Sequence, residues 1–179
     1  IGVGGEIPGV RTISINETEV ARIATQHLLD LGHRNIASLG GVEQFETDFH
    51  VASTRHLAFL DSLRDAGIIP NPAWDRTADF TIPGGYTETS AMLADPENRP
   101  TGIVASSDEM AIGALRRIKQ MGLRVPEDIS LVGFDDIPFA GLSRISLTTM
   151  RVAVAPSSGR LKAMMPPKAE VGSVRCAAS

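Results

Sequence analysis

The 179-residue chain predicts an α/β fold, a doubly wound parallel sheet with helices on both faces. Three observations lead there. Short apolar strand runs alternate with capped, helically periodic segments over most of the chain, and antiparallel hairpin signals are absent. Polar side chains gather where strands hand over to helices, at Ser106-Ser107-Asp108 and at Asp135-Asp136. That placement marks the ligand edge of an open α/β sheet.

The elements follow in order. Arg11–Ile15 is a short strand candidate after a Gly-rich, extended start. Asn16 caps a helix in which Val20, Ile23, Ala24, His27, Leu28 and Leu31 recur at helical spacing, and Gly32 stops it. Asn35–Leu39 is a strand ending at Gly40-Gly41. Ser53 or Thr54 opens a second helix with Ala58, Phe59, Leu63 and Ala66 inward, closed by Gly67. Arg76–Thr81 reads as a strand, and Gly84 to Asp95 as a helix with Tyr86, Met92 and Leu93 on one face. The apolar run Ile103–Ala105 enters the Ser106-Ser107-Asp108 turn, where Asp108 is the expected N-cap of a helix through Met110, Leu115, Ile118 and Met121. Gly122 ends that helix, and Ile129–Phe134 is a buried-type strand running into Asp135 and Asp136. Leu147–Met150 is the last strand. The organisation expected is therefore an extended segment over 1–15, a folded lobe over 16–150, and an irregular, disordered tail over 151–179 rich in Ala, Pro, Ser and Gly.

Composition excludes several functions. Residues 1–150 hold twelve basic against twenty acidic residues, whereas the tail holds five basic residues against Glu170. An acidic body is a poor surface for nucleic-acid phosphates, so this polypeptide should not bind DNA by itself. An aromatic share of 4% argues against a carbohydrate platform of several stacked rings. One cysteine, Cys176, excludes an internal disulfide. No apolar run approaches the roughly 18 residues that span a bilayer, so no membrane role is expected. The start IGVGGEIPG lacks a signal-peptide pattern and an initiator methionine, which suggests a sequence beginning inside a longer protein. The change of charge and pattern in the tail leaves two readings, a native flexible segment or a shifted reading frame.

Catalytic and metal chemistry find no support either. His27, His33, His50 and His56 have no Cys or carboxylate partner at ligand spacing, so no metal is expected. Gly2-Val3-Gly4-Gly5 lacks the third glycine and preceding strand of a dinucleotide turn, and there is no Walker A lysine or Gly-x-Ser-x-Gly elbow. Nothing places a nucleophile beside an oriented base. The reading is no enzyme, no catalytic residue and no cofactor.

Six segments carry a family resemblance: ATQHLLDLGHRNIASLGG (24–41), TRHLAFLDSLRDAGI (54–68), ADFTIPGGY (78–86), RPTGIVASSDEMAIGAL (99–115), GLRVPEDISLVGFDD (122–136) and LTTM (147–150). In this order they resemble the effector-binding domain of the LacI/GalR (lac repressor/galactose repressor) family of bacterial transcription regulators. The resemblance implies a periplasmic-binding-protein-like fold of two doubly wound lobes around a cleft, of which 16–150 would be the C-terminal lobe and 1–15 part of the crossover. It also implies a cytoplasmic protein that senses a small-molecule effector, a sugar or sugar derivative, works as a homodimer, and meets operator DNA only through an N-terminal domain absent from this sequence. Arg55 falls in the family's effector-contacting arginine register, with Ala58 in place of the usual glycine. Phe80 falls where an aromatic often lies against the effector. Asp135 ends a strand where a carboxylate would bind ligand hydroxyls or a ring N–H. Ser107 stands where the family usually has asparagine, shortening that contact. Asp136 is assigned to loop structure. The alternatives are a periplasmic sugar-binding protein of a transporter, which shares the fold, and a non-functional truncated remnant.

Overall fold

In the computed structural model, residues 2–3, 12–42, 50–142, 145, 147–151, 155–156 and 173–175 are described. Strands β1 (Gly2–Val3), β2 (Thr12–Ser14), β3 (Ile36–Gly41), β4 (Asp75–Ala78), β5 (Gly102–Ala105), β6 (Ser130–Phe134), β7 (Thr148–Arg151), β8 (Ala155–Pro156) and β9 (Ser173–Arg175) form two sheets. The helices are α1 (Glu17–Asp30), α2 (Val51–Asp65), α3 (Ile82–Met92) and α4 (Asp108–Gln120). The larger sheet has the order β4-β3-β5-β6-β7-β9. Its first five strands run parallel, as the alternation of elements predicts, and β9 pairs antiparallel with β7. The smaller sheet sets β2 between β1 (parallel) and β8 (antiparallel). Of the tail, β8, β9 and the end of β7 are described; its expected irregularity otherwise falls outside the described residues.

The side chains explain the three layers. Along β3, β5 and β6, successive residues bury toward opposite faces. Ala37, Leu39, Ile103, Ala105 and Leu131 pack with α3 and α4, around Met92, Leu93, Met110, Ala114 and Ile118. Ile36, Val104, Val132, Phe134 and Met150 pack with α1 and α2, around Val20, Ala24, Leu28, Phe59 and Leu63. Strands buried on both faces read as continuous apolar runs, which is why β5 and β6 lack polar alternation.

Local signals set most boundaries. Asn16 accepts the backbone N–H of Glu19 at 3.1 Å, and Gly32, Gly67 and Gly122 take φ of +89°, +70° and +76° just after α1, α2 and α4. Helix α3 runs over Ile82–Met92 where the sequence reading has Gly84 to Asp95, and two further boundaries differ with a visible cause. Helix α2 begins at Val51, before Ser53 and Thr54, on a His50 cap that makes no side-chain capping bond. Strand β4 stops at Ala78, because Phe80 turns the chain at φ +61° and Thr81 caps α3 by accepting the N–H of Gly84 at 3.0 Å. No helix among the described residues is long and apolar enough to cross a membrane.

Candidate functional site

The chain leaves β3 for β4 through α2, then returns through α3 to β5 on the other side of β3. The strand order therefore reverses between β3 and β5, and ligands of open α/β sheets bind at the carboxyl ends beside such a reversal. Arg55, Phe80, Ser107 and Asp135 all belong to segments at that edge.

Arg55 lies in the second turn of α2 and is 6% exposed. Its Nε donates to Glu17 at 2.6 Å, one terminal nitrogen donates to the Ser106 carbonyl at 2.6 Å, and the other sits 3.9 Å from the Asp135 carboxylate. The guanidinium also stacks over the Phe134 ring, 4.5 Å from its centroid. The arginine thus ties the starts of α1 and α2 to the ends of β5 and β6. Sequence reading missed Glu17: it is 38 residues away and carries no local signal beyond being a first-turn acid.

Phe80 is half-buried and lies over the end of β3. A Cβ on Gly41 would overlap its ring, so the second glycine of Gly40-Gly41 makes room for an aromatic from the neighbouring strand end. A positive φ is uncommon for a bulky residue and is held here by its surroundings. Asp79 accepts from the Thr81 hydroxyl at 2.6 Å, which holds its carboxyl below the usual range.

The turn after β5 corrects the sequence reading. The N-cap of α4 is Ser107, whose Oγ accepts the Met110 N–H at 3.2 Å, and not Asp108. Asp108 is fully buried, accepting from the Thr149 hydroxyl at 2.6 Å and the Ile137 N–H at 3.0 Å. Burial pushes its pKa up to about 6; its two hydrogen bonds oppose the shift, and Asp135 and Asp136 add to it. Gly133 has to be a glycine beneath it, since a Cβ there would collide with the carboxylate. A run of three cap-capable residues hides which one is the cap, and the partner Thr149 is 41 residues away.

Asp135 and Asp136 turn the chain out of the sheet at φ +99° and +50°. Asp136 pairs with Arg151 at 2.7 Å, in keeping with a loop role. The Asp135 side chain is 45% exposed. Burial against its neighbours lifts its pKa above the ordinary carboxylate value; Arg55 opposes this and Glu109 adds to it.

The histidines serve elsewhere. His33 bridges the Thr101 and Ser130 hydroxyls at 2.9 Å each, tying together the starts of β5 and β6. His56 lies 3.4 Å from Asp75 beside a cleft of about 210 Å³ lined also by Gly40, Ser53 and Thr77. Among the described residues no group of three or more His, Cys, Asp or Glu side chains is placed to hold a metal.

Comparison with known proteins gives a consistent family. Residues 25–162 match the periplasmic binding protein-like domain. The chain is 35% identical over 139 residues to the HTH-type transcriptional repressor PurR of Erwinia tasmaniensis, covering 78% of this chain and 39% of the relative. A LacI-family regulatory protein from Chloroflexus aggregans superimposes with a TM-score of 0.74 at 30% identity, over 83% of this chain and 53% of that one. The transcriptional regulator CelR in complex with cellobiose gives 0.73 at 30% identity, over 83% and 46%. The chain thus spans about two fifths of the length of the curated relative.

Proposed function

The chain belongs to the periplasmic binding protein-like domain family, in the form carried by LacI/GalR regulators, and from that premise we propose that it is the effector-sensing lobe of a cytoplasmic, dimeric, ligand-responsive repressor. The observation that supports the reading is the placement of Arg55 3.9 Å from Asp135, and of Phe80 over the end of β3, at the sheet's carboxyl edge beside the β3/β5 reversal. The effector is a sugar-like small molecule, a class in line with the cellobiose held by one structural neighbour. It binds between this wall and a second lobe, and its differential affinity for two lobe orientations is what reaches the DNA-binding heads. Operator DNA is met through a helix-turn-helix outside this sequence.

Ser107 contributes to the wall through position more than chemistry. Its hydroxyl already accepts the Met110 N–H, so it offers a ligand its O–H as donor. Asp135 offers the exposed acceptor. Asn tolerates positive φ, so Asp135→Asn keeps the turn while removing the charge. Calorimetric titration with a panel of mono- and disaccharides is expected to find one that binds, and Asp135→Asn to weaken it about tenfold or more. Arg55→Lys should weaken it as well, because an ammonium cannot reproduce the fork shared by Glu17 and Ser106. Unchanged affinity in both variants would remove these residues from the wall.

A further inference from the structure

The carboxyl edge carries an unequal set of charges. Asp108, Glu109, Asp135 and Asp136 gather where β5 and β6 end, close enough that Asp135 and Asp136 act on Asp108 and Glu109 acts on Asp135. Among the described residues, Arg55 lies against Asp135 and Arg151 pairs with Asp136. Arg151 sits 2.7 Å from Asp136. Arg55 is held 2.6 Å from Glu17, with the two side chains only 7% and 14% exposed. Its charge is therefore neutralised inside the protein, and a further donor is taken by the Ser106 carbonyl. Of the clustered carboxylates, Asp135, with its side chain 45% exposed, and Glu109 are exposed.

Helix starts at this edge would ordinarily attract anions. That of α4 is already capped by Ser107 and carries Asp108 and Glu109 in its first turn. That of α2 has neither a side-chain cap nor a first-turn acid, but the cleft beside it is lined by Asp75.

We infer that this wall selects an uncharged or cationic effector, presenting hydroxyl or amine donors, and rejects the phosphorylated or carboxylated counterpart of the same molecule. The inference rests on reading the edge as an effector wall. An ionised carboxylate is an acceptor only. It rewards a hydroxyl or N–H and repels a phosphate at the same place. An arginine already paired with a partly buried glutamate does not restore the attraction.

The test is a set of matched titrations of the isotope-labelled chain, followed by NMR through the amides of Ser106, Ser107 and Asp135. The probes are D-ribose against D-ribose 5-phosphate, D-glucose against D-glucose 6-phosphate, and adenine against adenosine monophosphate. The expected result is that an uncharged member moves those amides while its phosphorylated partner binds about tenfold more weakly or worse. Asp135→Asn combined with Glu109→Gln should narrow that gap. A phosphorylated member that binds as tightly as its partner, through the same amides, overturns the charge selection and leaves the effector wall standing. Amides that respond to neither member of any pair overturn the effector-wall reading and the selection with it.

Discussion

At the scale of single residues, the site shows where a sequence is legible and where it is not. The positions of Arg55 and Asp135 at the sheet's carboxyl edge could be read from motif register, since one lies in a helix and the other follows a strand that the sequence pattern marks. The long-range partners could not, because Glu17, which pairs with Arg55, and Thr149, which donates to Asp108, reach their places only through the fold. The exchange of roles between Ser107 and Asp108 has the same origin. Both residue types cap helices well, and only the burial of the following position decides which one does. The assignment can be checked. Ser107→Ala removes the acceptor for the Met110 N–H and should cost about 1 kcal/mol of stability in urea unfolding. Ser106→Ala serves as the comparison, because it is the backbone carbonyl of Ser106 that Arg55 uses, and it should cost clearly less. Equal losses would mean that the hydroxyl of Ser107 is not the cap.

At the scale of elements, the helix periods and glycine stops were readable, but several boundaries were not. Ser53 and Thr54 look like caps and His50 does not, yet α2 starts at Val51 because Ala52 and Arg55 bury on its inward face. Strand β4 ends early because Phe80 is drawn over Gly41, a contact between two strand ends that pattern alone does not reveal. The same holds for the crossing of α3 and α4. A Cβ at Gly113 would run into the Ile82 carbonyl and sit 2.7 Å from the Tyr86 backbone N, and one at Gly85 would meet the backbone of Met110. These are backbone neighbours that cannot swing aside. Helical propensity favours alanine over glycine by about 1 kcal/mol, so a surface site would gain from the change. Here the clash should reverse the sign. Gly113→Ala is expected to destabilise the chain by about 1–3 kcal/mol, with Gly122, at φ +76° and with open space around it, as a control whose loss comes from backbone strain alone. A Gly113→Ala protein more stable than the parent would show that the two helices are not in backbone contact.

At the scale of the whole molecule, alternation of strands and helices predicted the parallel sheet, while the strand order came only from the three-dimensional structure. That order sets the pH response, since it brings the ends of β5, β6 and β7 together around Asp108. A carboxyl whose folded pKa is raised from 3.8 to about 6 binds its proton more tightly in the native state. Its contribution to stability is greatest at low pH and is lost as pH rises through about 6, by up to roughly 3 kcal/mol at about 1.4 kcal/mol per pH unit. Asp135, also raised, acts in the same direction. Asp79, held below the usual range by the Thr81 hydroxyl, acts the other way, as do two further groups. His33, lowered by burial and by His27, favours the native state as pH rises toward its ordinary value of 6.5. Asp128, held at about 2 by Arg124, loses its contribution only as pH falls below the ordinary carboxylate range. The raw melting curve therefore mixes opposing slopes, and subtraction is needed to isolate Asp108. Asp108→Asn keeps an acceptor for Thr149 or Ile137 but does not titrate. Melting temperatures of the two proteins measured from about pH 5 to about pH 7.5 should diverge steadily, the parent losing stability relative to the variant as pH rises. A constant difference across that range would place the Asp108 titration elsewhere and remove the buried carboxyl as the source of the slope.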